Sequence, residues 1–174
     1  MRSPRGLARR AGYTLIEVLV VVTVLGIAAA MVVPSLSSAG TLRVQGAIRT
    51  LVADIAIAQS DAIAYQKGRA IVFLKDSDNP RYVVCEVNGT TLDLAVDKIK
   101  EERIGGEQFG FASFDNINLP NEMLVLDELG GPVMAPGDST PSPAGSIDII
   151  DKEQRFRVNI EPYTGKVTVS SLPR

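Results

Sequence analysis

One acid stands alone in the most apolar part of this chain. Between residues 16 and 33 the only charged side chain is Glu17, and the eleven residues ahead of Gly12 carry Arg2, Arg5, Arg9 and Arg10 with no acid among them. A charged side chain at full depth in a membrane segment costs roughly 2.5–3.5 kcal/mol, and such groups are usually paired and functional. The chemistry to look for is therefore a cation that answers Glu17. Elsewhere the side-chain inventory excludes more than it offers. The 174 residues include no histidine, which removes Ser-His and Cys-His nucleophiles and His-containing zinc sites together. Gly105, Gly106 and Gly110 lack the spacing of a phosphate-binding or dinucleotide loop. Asp76, Asp78 and Asn79 match only a fragment of a calcium loop and read as a turn. Cys85 is the single cysteine, so no intramolecular disulfide can form, and a small buried apolar role is expected of it. No cofactor and no metal site are expected, and the protein is not expected to be an enzyme.

The element that must position Glu17 is the apolar run itself. Its length fits a membrane-crossing helix, which needs about 20 apolar residues with a range of roughly 17–25, and the four arginines would hold the start of the chain on the cytoplasmic side. The segment is open to three readings. It could be a secretory signal cleaved after the small residues Ala28 to Ala30, leaving Met31 first; a plain membrane anchor; or a segment whose order Gly12-Tyr13-Thr14-Leu15-Ile16-Glu17 carries meaning of its own.

That order resembles the type IV pilin and pseudopilin superfamily. Members have a short basic leader ending in Gly, an aromatic residue after the cleaved bond, Thr-Leu-Ile-Glu, and a proline some seventeen residues beyond the Glu, matched here by Pro34. The resemblance covers about the first forty residues. It implies that Gly12 ends a leader (residues 1–12) removed by a prepilin peptidase, and that Tyr13 becomes the new N-terminus and is N-methylated. Tyr in place of the more common Phe is a departure. It further implies that Glu17, fifth in the mature chain, accepts a charge-assisted bond from the terminal ammonium of a neighbouring subunit. Removing one member of such a buried pair costs roughly 3–5 kcal/mol.

The remainder divides into a transmembrane and assembly helix (13–36), an amphipathic helix (37–67) and an antiparallel β domain (68–174). Apolar residues at Leu42, Ile48, Leu51, Val52, Ile55, Ala58, Ala62 and Ile63 recur in threes and fours, against Arg43, Gln45, Arg49, Asp54 and Gln59 on a solvated face. A helix from Tyr13 to Tyr65 would be about 80 Å long at ~1.5 Å per residue. Gly26 and Pro34 are its weak points, and a bend is expected there because a mid-helix proline removes a donor and clashes one turn back. Lys67 and Gly68 are expected to close it.

Beyond Gly68 the pattern changes to strands at 70–74 and 82–87. Asn88-Gly89 signals a hairpin into 90–95, followed by a charged loop or edge at 97–108 and strands at 109–114 and 123–126. Residues 127–145, rich in Gly, Pro and Ser, read as a long loop and candidate contact surface. Clean alternation at 146–150, 155–160 and 166–170 predicts an antiparallel meander. The fold class is α+β, a pilin-like fold with the long N-terminal helix packed on a C-terminal antiparallel sheet domain. The turn at Thr164, Gly165 and Lys166 and the following strand are similar to minor pseudopilins of the GspH/FimT type.

Without residues 1–12 the chain holds 14 basic and 20 acidic residues, a net charge of −6, which speaks against nucleic acid as a partner. The resemblance implies instead other pseudopilin subunits met through the N-terminal helix, the prepilin peptidase, an inner-membrane assembly platform and the bacterial inner membrane, crossed once with the C-terminal domain in the periplasm. Its implied function is a minor pseudopilin of a type II secretion pseudopilus. The alternatives are a minor type IV pilin for adhesion, motility or DNA uptake, and an anchored enzyme or ligand-binding domain that only borrows the helix.

Overall fold

The computed structural model describes residues 12–152 and 154–173, with the backbone alone over 31–41. Arg2, Arg5, Arg9 and Arg10 lie outside the described residues. The chain forms two compact units, Met1–Ser38 and Ala39–Arg174. A single helix, α1 (Leu15–Tyr65), is assigned across both. Its last residue is the expected one, but the residue that closes it is not Gly68. It stops at Tyr65, Gln66 takes the left-handed backbone region at φ 53°, and Lys67 N–H closes the end on Ala62 C=O (3.2 Å). Gly68 answers a different need, since a Cβ there would lie 3.0 Å from Val87 Cβ and 3.1 Å from Leu126 O.

In the second unit the buried stripe of α1 is Val44, Ala47, Ile48, Leu51, Ile55, Ala58 and Ala62, the spacing a single apolar face requires. Leu42 and Ile63, expected on it, are exposed, and Asp54, expected in solvent, is buried. Gly46 faces the Phe109 ring, which would stand in ordinary contact, at 3.4 Å, with a Cβ at that position.

Two antiparallel sheets complete the unit. The five-stranded sheet has the order β3 (Lys98–Arg103), β2 (Arg81–Glu86), β1 (Arg69–Leu74), β5 (Met123–Leu126), β6 (Pro132–Val133). The four-stranded one has the order β4 (Ser113–Asn118), β7 (Gly145–Ile150), β8 (Arg155–Ile160), β9 (Val167–Leu172). A one-turn helix α2 (Gly106–Phe109) and a 3-10 turn (Pro120–Glu122) link the strands. One continuous core holds them: the α1 stripe with Ile71, Phe73, Tyr82, Leu124 and Leu126 of the first sheet and Phe114, Ile117, Ile147, Ile149, Val158 and Ile160 of the second. The α+β class, with the helix packed on an antiparallel sheet domain, is thus the observed one. A smaller cluster of Ala70, Val125 and Val133, with Val87, Leu92 and Met123 against it, lies on the other face of the first sheet. Cys85 is fully buried and unpaired.

Three sequence expectations need correction. Residues 90–95 are not a strand, and β2 pairs with β3 instead. Asp97 displaces the two-residue turn by accepting from Asn88 Nδ2 (3.1 Å) and Asp93 N (2.8 Å), which ties the connection into a loop whose Leu92 packs on the sheet. The charged stretch contributes β3, an edge strand. The strand expected at 109–114 begins only at Ser113, because Phe109 closes α2 and Gly110 takes φ 69°. The loop 127–145 is internally bonded: β6 pairs with β5, Asp127 Oδ1 accepts from Leu129 N and Gly131 N, and Met134 N donates to Thr140 O. The meander at the end of the domain is present as β7, β8 and β9.

Candidate functional site

The first turn of α1 is built by a reciprocal pair. Thr14 C=O accepts the first helical bond, from Val18 N (3.2 Å). Thr14 Oγ1 accepts from Glu17 N (3.3 Å), and the Glu17 carboxylate accepts from Thr14 N (3.5 Å). Thr at the N-cap with Glu three residues on is a capping box, which satisfies two helix-end donors at once. Glu17 also places its negative charge where the helix dipole is positive. Among the described residues its side chain has no other partner. The resemblance assigned it only to a neighbouring subunit, and the local role was readable from the spacing Thr14-x-x-Glu17.

Around this carboxylate the helix surface is apolar on every side. Ten large side chains from Leu15 to Ile27 are each more than half exposed. A Val, Leu or Ile is worth roughly 1.5–3 kcal/mol when fully buried, so leaving this surface in water forfeits on the order of ten kcal/mol. A helix apolar all round belongs inside a protein assembly or a membrane. The one other polar side chain in the run is quieted locally, Thr23 Oγ1 donating to Leu19 O (2.7 Å). Among the described residues no helix is long and apolar enough to cross a membrane; the described side chains end at Ala30, whereas the apolar sequence continues through Val33.

Gly12 and Gly26 are informative because nothing among the described residues requires them. A Cβ at either position meets no atom within 4 Å, yet a mid-helix Gly costs about 0.5–1 kcal/mol relative to Ala. Tyr13, next to Gly12, is 82% exposed. The structure places Tyr13 immediately ahead of the N-cap of the turn that carries Glu17. Gly26 lies further along the helix, and Pro34 falls in the stretch described by backbone alone.

The globular unit carries two polar clusters that sequence periodicity missed. Asp54, 7% exposed, accepts from Tyr82 Oη (2.5 Å) and from Lys100 Nζ (2.7 and 2.9 Å). Burial, then the bond to Asp54, push the Tyr82 phenol well above its ordinary range. Burial pulls the Lys100 ammonium down, and the Asp54 and Glu102 carboxylates more than offset it, so its net shift is upward. A phenol held that firmly protonated and an ammonium held that firmly charged are fixed partners of Asp54 rather than a reactive pair. Asp148, fully buried on β7, is gripped by Arg157 (2.6 and 2.8 Å) and Arg155 (3.0 Å). The Arg157 bond holds its carboxyl below the usual range, against the opposing effect of burial. Asp76, beside Asp78 and Asn79, is salt-bridged to Arg81 (2.6 Å) and accepts from Asn79 N through its carbonyl, as a turn does. Among the described residues no group of three or more His, Cys, Asp or Glu side chains is placed to hold a metal ion.

Among the described residues the exposed, chemically distinctive surface is the start of α1, and there the comparison with protein families agrees. Residues 7–33 match the model for the prokaryotic N-terminal methylation motif. The chain is type IV pilin-like at its N-terminus, and the match points to a structural filament subunit. It spans 27 of the 174 residues and ends before the globular unit. No curated protein and no solved structure matches the chain.

Proposed function

We propose that this chain is a minor pseudopilin, a membrane-inserted subunit of a periplasmic pseudopilus in type II protein secretion. The observation that carries the reading is a single carboxylate, Glu17, at the head of a helix whose surface is otherwise apolar all round, inside the methylation motif. A prepilin peptidase removes residues 1–12 on the cytoplasmic face. Gly12 is required by that enzyme rather than by the fold, and Tyr13 is then the N-terminal, N-methylated residue. The helix stays in the bacterial inner membrane as a single pass, with the β domain in the periplasm. On assembly the new ammonium of one subunit meets Glu17 of another, and the exposed Val, Leu and Ile side chains pack against neighbouring helices. The inner-membrane platform drives extension. Gly26 and Pro34 supply the compliance that lets packed helices adjust. The Thr164-Gly165-Lys166 turn and the absence of paired cysteines favour the minor pseudopilin over a major pilin.

The decisive measurement is the N-terminal residue and mass of the protein recovered from its own membranes. N-methylated Tyr13 is expected. Retention of residues 1–12, or a chain starting at Met31, would refute the proposal. Secretin-dependent export lost on deletion separates the pseudopilus from a type IV pilus, which would lose adhesion, motility or DNA uptake instead.

A further inference from the structure

Two sheets present four edges, and they are guarded unequally. In the five-stranded sheet, β3 bears Lys98, Lys100, Glu101, Glu102 and Arg103, and β6 is two residues long and begins with Pro132. Charge, proline and brevity are the usual defences against edge pairing. The four-stranded sheet is guarded less: β9 has none of these defences, and β4 has one charge and a bulge between Phe114 and Asn116. β9 is six residues of Val, Thr, Ser and Leu without charge or proline, and β4 has one charge, Asp115, already bridged by Arg155 (2.5 Å). The geometry points to the free edge of β9 as a docking surface for the β4 edge of a second copy of this chain, standing beside it in the same orientation.

Strand direction selects that occupant. Neighbours in the sheet β4-β7-β8-β9 are all antiparallel, so with four strands the two edges run in opposite directions. A copy set alongside without being turned over therefore brings its β4 antiparallel to β9. The five-stranded sheet, with edges running the same way, could offer only the less stable parallel pairing. Pairing β9 with β9 would instead require a two-fold axis and reverse one copy's helix. The faces also agree. Val167 and Val169 pair with Ile160 and Val158 on the core side, and Val169 is 46% exposed, an open margin of the core. Phe114 and Ile117 hold the core side of β4 opposite Ile149 and Ile147. A register that sets Val169 beside Phe114 of the neighbouring copy sets Thr168 beside its Asn116 and Val167 beside its Ile117. That repeats the step β4 already makes around Asp115 against β7. No charge of β9 opposes it, and such a head-to-tail contact repeats from copy to copy. The inference rests on the parallel packing that the filament reading demands.

Thr168 and Asn116 are both exposed, and native Cys85 is buried, so cysteines can be placed at the two former positions without disturbing the core. In full-length protein oxidised in its membranes, Thr168→Cys with Asn116→Cys is expected to give a reducible ladder of dimers and higher multimers. Neither single variant should do so, and adding Val169→Lys should reduce the ladder at least several-fold. Dimers from Thr168→Cys alone would mean β9 meets β9 and would overturn the proposal. Monomers from the double variant would overturn it too, and if Glu17-dependent assemblies still sediment in that experiment, the filament reading stands without it. A ladder that persists in Glu17→Ala protein would support edge pairing while refuting the role given to Glu17.

Discussion

Glu17 caps α1 and, in the proposed filament, also meets a neighbouring subunit's ammonium; one substitution can pull the two roles apart. A glutamine still accepts the Thr14 amide, so Glu17→Gln keeps the capping box, whereas Glu17→Ala loses both cap and charge. Both are expected to abolish the sedimentable assembled fraction, while circular dichroism shows a loss of helix end only for Ala. If Gln assembles normally, the cap rather than the charge is what matters. The buried clusters are stability devices. Tyr82→Phe removes a hydrogen bond to a charged group and is expected to cost roughly 1.5–3 kcal/mol. Asp54→Ala strands a buried phenol and an ammonium, at a cost toward the low end of ~3–5 kcal/mol because Lys100 remains 43% exposed. Denaturant midpoints check both. Asp148 has a folded-state pKa below its unfolded one. Its stabilisation is therefore fully present above the ordinary Asp value of about 3.9 and is lost as pH falls through the depressed value. Thermal melts from pH 6 to 2 should fall more steeply for the native chain than for Asp148→Asn. None of these clusters was legible from periodicity: helical spacing put Asp54 on a solvated face, and strand alternation marks Asp148 as facing away from Ile147 and Ile149 without showing that it is buried. A buried carboxylate is found only by locating its cations, and Lys100 and Arg157 reach theirs across 46 and 9 residues.

At the scale of elements, the long helix and the final meander were legible because both repeat a single period over many residues. The Asn88-Gly89 hairpin was not, because Asp97, nine residues from Asn88, supplies an acceptor that local turn chemistry cannot anticipate. The same holds for the junction between α1 and the β domain. Gln59, read as a solvated residue, sends Nε2 to Gly130 O (3.4 Å) and Gly165 O (3.1 Å) and so pins two turns to one helix. Gly165 has φ 61°, and a Cβ on it would stand 2.3 Å from that nitrogen. Gly165→Ala is thus expected to cost at least ~1 kcal/mol from backbone strain alone. Combining it with Gln59→Ala should cost less than the sum of the two single changes, since the clash disappears with the side chain. Additive values in the double-mutant cycle would show that the contact carries no strain.

For the whole molecule, the contrast between a helix surface that is apolar from Leu15 to Ile27 and a unit with its own core explains why the proposed function rests mainly on the first thirty-odd residues. The apolar helix leaves its valines and leucines exposed, and in the proposed reading neighbouring helices cover them, a subunit's ammonium answers Glu17 and a peptidase reads Gly12. The β domain satisfies nearly everything internally, and its surface therefore says less. Detergent or lipid is expected to be necessary to keep the full chain dispersed, and cleaving α1 between the units should yield a fragment whose melting temperature is independent of detergent. A melting temperature that tracked detergent would indicate that the fragment's core is incomplete.

The lone thiol offers a clock. Cys85 is sealed on the face of the first sheet that carries its register partner Ala70, and burial pushes its pKa up, so an alkylating reagent added to intact cells can mark only those molecules in which that face has opened. The labelled fraction over time then counts opening events in the native compartment, with the protein supplying its own reporter and no probe engineered into it.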